Sequence, residues 1–367
     1  MKKYLPYILV GYITVMMLIF PESSIMYARQ AINMCSEIII PSLFPFFVCS
    51  GLLIYSGFSQ TLSSVCRPIM KPLFNINGSG AAALVLGTIS GYPLGAITAC
   101  QLYDSGYLSK SETERLLAFC NNSGPLFILG AVGAAIYSSH KIGIILYISH
   151  ILAALTVGIL FRFYAKKKHS APNYNINQPS LTFPEVFSQV LSSSLNSILT
   201  VCGAVIFFSV VANIIAVQMP KNNAFTPLFT GIMELTGGTK SISVSSLSLT
   251  GKLVMSAFVV GFAGICVHLQ VMAIVTKHGL SLKPYIIGKL LHGLLSALYT
   301  LIYFKIFPPT EAVFRSSSRA LDAGFCMSSV YTAVSVIFLC LLAALSVIFS
   351  ALAMKKFNFN CKKRDTL

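Results

Sequence analysis

The chain has 367 residues, of which 55% are apolar and 10% charged, with a mean hydropathy of +0.78; a soluble domain carries roughly a quarter charged residues. Its 26 basic and 10 acidic residues cannot cover the surface of the soluble domains that such a length would otherwise form. A soluble enzyme, a secreted disulfide scaffold, a disordered chain and a nucleic-acid binder are all disfavoured, which leaves a polytopic membrane protein.

A helix that crosses the hydrocarbon core needs about 20 apolar residues. In chain order, runs that meet or approach this length are 5–20, 36–57, 116–138, 142–164, 190–218, 253–276, 284–305 and 329–353, which predicts eight spans. The first follows Lys2 and Lys3, is long for a signal peptide and has no clear cleavage site after it, so a retained helix is expected. Two further apolar stretches do not read as simple spans. The stretch 80–103 is cut by Ser90-Gly91-Tyr92-Pro93, and 227–240 is too short and carries Glu234 followed by Gly237 and Gly238. Proline and paired glycines free backbone polar groups, and at membrane depth these are tolerated only against protein or a water-filled cavity. Both stretches are therefore predicted to be re-entrant hairpins.

Charge tests this reading. The net charge of +16 sits in short bursts at the edges of apolar runs, at Lys2-Lys3, Lys166 to Lys168, Lys355-Lys356 and Lys362 to Arg364. Basic loops of this kind mark the cytoplasmic side. Only if 80–103 and 227–240 both return to the side they entered do these bursts all fall inside. Arg315 and Arg319, in the predicted outer loop, run mildly against it.

The predicted organisation is an N-terminal transmembrane helix (1–30), a first repeat (31–165) with hairpin 80–103, a polar cytoplasmic linker (166–187), a second repeat (188–305) with hairpin 227–240, and a last part (306–367) holding the outer loop, the final transmembrane helix and the basic tail. Each repeat reads span, hairpin, broken span, span, and the two enter the membrane from opposite sides. Inverted repeats with interrupted helices are characteristic of secondary transporters, whose sites lie where the breaks meet.

The ten cysteines form no CxxC and no metal-ligand spacing, and they read as reduced small hydrophobes. No metal and no cofactor is expected beyond a coupling H⁺ or Na⁺. Candidate polar groups fall in four clusters. Ser90, Gly91, Tyr92 and Pro93 form the first; Asn121, Asn122, Ser123, Gly124 and Pro125 form the second. The third holds Glu234, Thr236, Gly237, Gly238 and Lys240, and the fourth holds Gly261, Gly264, His268 and Gln270. Gly91, Pro93, Gly124, Pro125, Gly237, Gly238, Gly261 and Gly264 are the expected hinge or break positions. Ser90, Tyr92, Asn121, Asn122, Ser123, Thr236, His268 and Gln270 are the expected substrate contacts. A carboxyl at membrane depth is costly and usually functional, so Glu234 is the expected ion-coupling residue, with a structural pair to Lys240 or Lys289 as the bland alternative. His150 and His292 are expected to be satisfied core histidines. A donor-rich midplane with one acid suits a small polar or anionic solute, and would suit a nucleoside nearly as well. Such a protein's partners are membrane lipid and that solute, with no nucleic acid and no indicated oligomeric state.

The segments Pro41 to Phe47, Ser90 to Ala96 and Phe119 to Phe127, with Glu112, Glu114, Arg115 and Leu116 ahead of the last, resemble the sporulation integral membrane protein YlbJ (SpoVV) family. Met233 to Gly238 and Gly261 to Gln270 fit the second half of that family, and the resemblance covers roughly residues 5–350. That family is similar to nucleoside-recognition gate-repeat transporters. The resemblance implies a role in endospore formation, as a bacterial cell-membrane protein in the outer forespore membrane that moves dipicolinic acid from the mother cell. A nucleoside or other small-metabolite carrier is the alternative within transport. A non-transporting scaffold or receptor would not need paired helix breaks, and an intramembrane enzyme would need an acid pair or His/acid motif that the sequence lacks.

Overall fold

A computed structural model describes residues 4–56, 58–164, 182–219 and 224–308. Lys2 and Lys3, the linker up to residue 181, and nearly all of the last part, including the expected span 329–353 and the basic tail, lie outside the described residues.

The described residues contain helices and no strand. Five helices are long and apolar enough to cross a membrane: Pro21–Tyr55, His140–Phe161, Phe183–Ala216, Leu249–His278 and Lys283–Ile306. They take up the expected spans 36–57, 142–164, 190–218, 253–276 and 284–305. Two further expected spans fall outside these five. Helix α1 (Leu5–Ile19) has 15 residues, about 22 Å of rise and short of the core thickness. The expected broken span 116–138 is interrupted where the break is predicted: the chain leaves helical geometry at Asn121 (φ −96°, ψ 88°) and resumes only after Pro125.

The second long helix begins earlier than the apolar run, because Pro21 and Glu22 supply a favourable first turn for α2 (Pro21–Met34). A π turn at Cys35–Ile39 joins it to α3 (Ile40–Tyr55), just ahead of Pro41. Proline cannot donate to the preceding turn, and a π segment absorbs that defect without ending the helix. Helix α4 (Phe58–Phe74) lies between the expected span 36–57 and the stretch 80–103; it buries Met70 and Phe74 and leaves much of its polar face open. The interrupted stretch 80–103 becomes α5 (Ala81–Ile89) and α6 (Leu94–Asp104), which pack against each other.

Helix α7 (Lys110–Cys120) starts on a capping box, in which Glu112 accepts from the Ser109 N–H at 3.0 Å. A π-helix (Leu126–Ile136) follows the break, then α8 (His140–Phe161). Helix α9 (Phe183–Ala216) starts on a second capping box, Thr182 with Glu185, so the end of the expected linker 166–187 is helical. The second interrupted stretch becomes α10 (Phe225–Met233) and α11 (Leu235–Ser243), again packed on each other. Helices α12 (Leu249–Phe262) and α13 (Gly264–Val275) are parted at Ala263, and α14 (Lys283–Ile306) closes the described chain.

The element order of α3–α8 therefore recurs in α9–α14, with α4 as an addition. Contacts between the two sets come in matching pairs. Helix α6 meets α13, and α11 meets the π-helix; α7 meets α14, and α12 meets α8; α3 meets α9, and α8 meets α14. Backbones approach closely at several of these crossings. A Cβ on Gly288 of α14 would collide with Ala118 of α7, and one on Gly261 of α12 would lie 2.9 Å from Gly293 of α14. Small residues of this kind let apolar helices gain dispersion contacts where no hydrophobic effect drives them together.

Candidate binding site at the helix breaks

The four breaks meet in the interior. A Cβ on Gly91 would lie 3.1 Å from the Gly124 nitrogen, so the break after α5 abuts the break after α7. A Cβ on Gly264 would lie 3.3 Å from the Gly231 carbonyl oxygen and 3.4 Å from the Leu235 nitrogen, so the break after α12 abuts the break after α10. Ser123 ties the two pairs together: its hydroxyl reaches the Val260 carbonyl of α12 at 3.3 Å and the Tyr92 hydroxyl at 3.4 Å.

Between them lies a cavity of about 30 Å³. Gly91, Tyr92 and Gly124 line it from the first set of helices, and Glu234, Thr236 and Gln270 from the second. Ser42, Leu43, Phe127, Val201 and Val205 complete much of the wall. Such a volume admits roughly one or two waters, whereas sites for ring-sized ligands run to several hundred Å³. The site is closed in this structure. A larger groove of about 740 Å³, rich in serine from α9, shares Val201 and Gln270 with the cavity.

Glu234 occupies the break between α10 and α11 in extended geometry and is 2% exposed. Its two carboxylate oxygens accept from the Thr236 N–H at 2.8 Å and the Gly237 N–H at 2.6 Å, which makes it the N-cap of α11. Two charge-assisted bonds and the positive end of a helix compensate a buried carboxylate. The expected alternative, a pair with Lys240 or Lys289, does not form: Lys240 is exposed, and Lys289 is bonded elsewhere.

Not every expected residue reaches the cavity. Tyr92, Glu234, Thr236 and Gln270 do, and Ser123 touches Tyr92. Ser90 turns away and shares a 2.6 Å hydrogen bond with Ser50 of α3. Asn121, Asn122 and His268 do not line the cavity. Asn122 donates to the Phe119 carbonyl at 3.0 Å and to Thr88 at 3.2 Å. The Asn121 carboxamide is near the Tyr285 hydroxyl without hydrogen-bond geometry, and His268 Nδ1 pairs with that hydroxyl at 3.0 Å. His268 Nε2 and Gln270 Oε1 are buried without a partner among the described residues.

Among the hinge positions, Gly91 (φ +87°) and Gly264 (φ +75°) hold left-handed geometry, and Pro93, Gly124 and Pro125 lie in the breaks. Three others are corrected. Gly237 and Gly238 sit inside α11, because Glu234 itself ends the preceding helix; Gly238 serves instead to admit the Gly231 backbone. Gly261 lies inside α12, and the turn falls two residues later on Ala263 (φ +76°), whose N–H closes the helix on the Val259 carbonyl at 2.8 Å.

One buried group was read only as a partner for Glu234. Lys289 of α14 is fully buried and donates to the Asn121 carbonyl at 3.0 Å, the end of α7, and to His292 Nδ1 at 3.2 Å. His292 Nε2 donates to the His150 carbonyl at 2.9 Å, and the Ser123 N–H donates to His150 Nε2 at 3.1 Å. A lysine in the middle of an apolar run was the available signal, as much as an acid in one. From the middle of α7, Arg115 donates to the Asn75 and Tyr164 carbonyls at 2.7 and 2.8 Å, tying the ends of α4 and α8 to α7.

A family model described as "Gate: Nucleoside recognition" matches residues 37–216. The sporulation integral membrane protein YlbJ of Bacillus subtilis (strain 168) is 30% identical over 329 residues, which cover 80% of this chain and 81% of that protein. The chain belongs to the YlbJ family. No solved structure matches it. With its apolar helices, this YlbJ-family chain is an integral membrane protein. The gate match takes in Gly91, Tyr92 and the Asn121-to-Pro125 break, whereas Glu234, Thr236, His268 and Gln270 lie beyond it. The cavity wall thus draws on both the gate region and the part of the chain that follows it.

Proposed function

We propose that the chain is a transporter that moves dipicolinic acid from the mother cell across the outer forespore membrane during sporulation. The family and the resemblance supply the cellular setting and the solute. The observation that carries a transport role is the convergence of four helix breaks, two from each set of helices, on one closed cavity lined by both. In lipid, a broken backbone is tolerated where it lines a cavity or packs on protein. A cavity between two like units is where alternating access places a solute.

The arrangement in the membrane is eight spans with 80–103 and 227–240 as re-entrant hairpins, and the two repeats run in opposite directions. Two features support it: the packed pairs α5–α6 and α10–α11, and the reciprocal contacts between the two sets of helices. Solute contacts are assigned to Ser90, Tyr92, Asn121, Asn122, Ser123, Thr236, His268 and Gln270. Tyr92, Thr236 and Gln270 meet the solute first, and the others become reachable when the breaks part. Glu234 in the cavity wall would repel a dianion unless it holds a proton or Na⁺, which makes it a coupling candidate. The gate match favours one second reading, a nucleoside carrier using the same cavity.

Uptake into proteoliposomes decides between these. Dipicolinate should enter and accumulate under an H⁺ or Na⁺ gradient, and nucleosides should neither enter nor compete. Nucleoside uptake without dipicolinate uptake replaces the solute assignment. Absence of movement for both, in protein that stays folded, overturns the transport reading. Cysteine accessibility at 88–96, 120–126, 234–240 and 262–270 gives a second readout, because uniform burial that no solute alters argues for a scaffold.

A further inference from the structure

The Lys289 cluster lies outside the cavity, between the two sets of helices. Every bond that Lys289 and His292 make crosses from α14 to the first set or stays on α14. Lys289 donates to Asn121 at the end of α7, and His292 donates to the carbonyl of His150 on α8. The His150 and His292 rings are 4.3 Å apart between centroids. Any rocking of α14 against α7 and α8 must break these bonds.

The bonds also fix who holds which proton. His292 Nε2 carries its proton, because it donates to a carbonyl, so Nδ1 of the neutral ring accepts from Lys289. His150 Nε2 accepts from the Ser123 N–H, so in the neutral ring its proton is on Nδ1. Lys289 is then given two acceptors. That matches a neutral amine, which has two N–H groups; an ammonium has three.

The titratable groups turned toward Lys289 are Cys120 on α7, His150 on α8, His268 on α13 and His292 on its own helix. Helix α12 brings no titratable group near Lys289: its one charged residue, Lys252, is in its first turn, and its far end, at Gly261, is what meets α14 at Gly293. Among the described residues Lys289 has no carboxylate partner and no ion pair. Among the described residues the carbonyl end of α7 is the compensation that a cation here would have, with no counter-ion beside it.

The polar strip continues along the same face of α14. Lys289, His292, Ser296 and Thr300 stand at helical spacing, and all four are fully buried. From Lys289 to Thr300 the helix rises about 16 Å, roughly half of a 30 Å hydrocarbon core. His150 Nδ1, Ser296 Oγ and Thr300 Oγ1 along it have no partner among the described residues. Polar atoms with unused bonding capacity, lined up in a dry interface, are the material of a proton path.

We infer that Lys289 is a proton-binding site that couples solute movement to the proton gradient, and that the strip through His292, His150, Ser296 and Thr300 is the path by which its proton travels. In the observed arrangement the amine is neutral. When α14 moves away from Asn121, the amine gains one proton to become an ammonium, and it surrenders that proton when the contact re-forms. This inference rests on the proposed transport role and is separate from Glu234.

The test is dipicolinate accumulation in proteoliposomes, with the membrane potential clamped at zero and an inward gradient of one pH unit. One proton per solute predicts about tenfold accumulation in the unaltered protein. Lys289→Met and Lys289→Arg should both bring accumulation down to about onefold while solute counterflow persists, because arginine keeps its charge and does not release its proton. Ser296→Ala with Thr300→Val should slow gradient-driven uptake and spare counterflow, and this pair serves if neither Lys289 variant folds. Full accumulation with Lys289→Arg, or with the double variant at unaltered rate, overturns the inference. Net uptake that ignores the pH gradient in the unaltered protein, with counterflow intact, also overturns it and leaves the transport reading standing. Absence of counterflow as well means that the transport reading itself has failed.

Discussion

The helix breaks of the two sets of helices are built differently. In the first set, several residues carry each break, Ser90 to Pro93 and Asn121 to Pro125, and no charge is used. The negative end of α7, at the Asn121 carbonyl, is met by Lys289 from the second set. In the second set each break turns on a residue or two. Glu234 caps its own helix with its own carboxylate, and Ala263 turns the chain in left-handed geometry. The start of α11 is therefore satisfied locally, whereas the ends of α7 and α12 each take a contact that crosses between the sets, α7 from Lys289 and α12 from the Ser123 hydroxyl. A contact of that kind is lost when the sets move apart; a local cap is not.

The largest effect should come from forcing the crossing contact open. A side chain at Gly288 would occupy the space of Ala118 and push α14 off α7, next to the Lys289 bond. Gly288→Val should cost about 3 kcal/mol, the upper part of the range for overpacking. Unfolding in mild detergent measures it, and a change under about 1 kcal/mol would mean the two helices are not held as closely as they stand here.

Removing the local cap comes next. Glu234→Ala leaves the Thr236 and Gly237 N–H groups buried without acceptors and should cost about 2 kcal/mol. Glu234→Gln retains one acceptor oxygen and should cost about half of that. If glutamine and alanine were equally damaging, the charge rather than the cap would be the stabilising element.

Much of this arrangement was legible in the sequence, and the reasons are physical. Long apolar runs such as 142–164 and 284–305 report lipid or a protein core directly, and they became α8 and α14. Gly91-Tyr92-Pro93 and Asn121-to-Pro125 mark breaks because proline and glycine act on the local backbone wherever they lie. Ala263 gave no such sign, since alanine is a good helix former and only tertiary contact puts it at φ +76°. Gly237 and Gly238 misled for the converse reason: Gly238 serves a close approach to the Gly231 backbone, which the same residue type signals equally well. Lys289 was noticed only as a partner for Glu234, because its acceptors, a carbonyl at the end of α7 and an imidazole, carry no mark in sequence spacing.

Ala263 offers a smaller test with the opposite sign. Left-handed geometry costs an L residue roughly 1–2 kcal/mol and glycine nothing. Its side chain is fully buried but is a single methyl. Relief at the upper end, about 2 kcal/mol, less about 0.8 for the lost methyl contact and about 0.4 for the greater freedom of the unfolded chain, leaves Ala263→Gly a gain of at most about 0.8 kcal/mol. A loss of stability would mean that the methyl packing outweighs the backbone strain.

The smallest expected change in stability belongs to Lys289, and it is the most telling for the comparison. Replacing a buried polar cluster member with an apolar side chain of similar length is often neutral or stabilising, because the desolvation of the amine is no longer required. Lys289→Met leaves the Asn121 carbonyl and His292 Nδ1 each short of one donor, which works against that gain. The two contributions are of similar size and opposite sign, so the net change should fall within about 1 kcal/mol. Set beside the Glu234→Ala loss, this separates the two buried ionisable groups by what they do: one stabilises the fold and the other does not. A group that contributes little to stability yet occupies the crossing contact is available for function. If Lys289→Met instead cost as much as Glu234→Ala, the crossing contact would be a structural clamp, and the asymmetry between local and shared helix ends would carry no functional meaning.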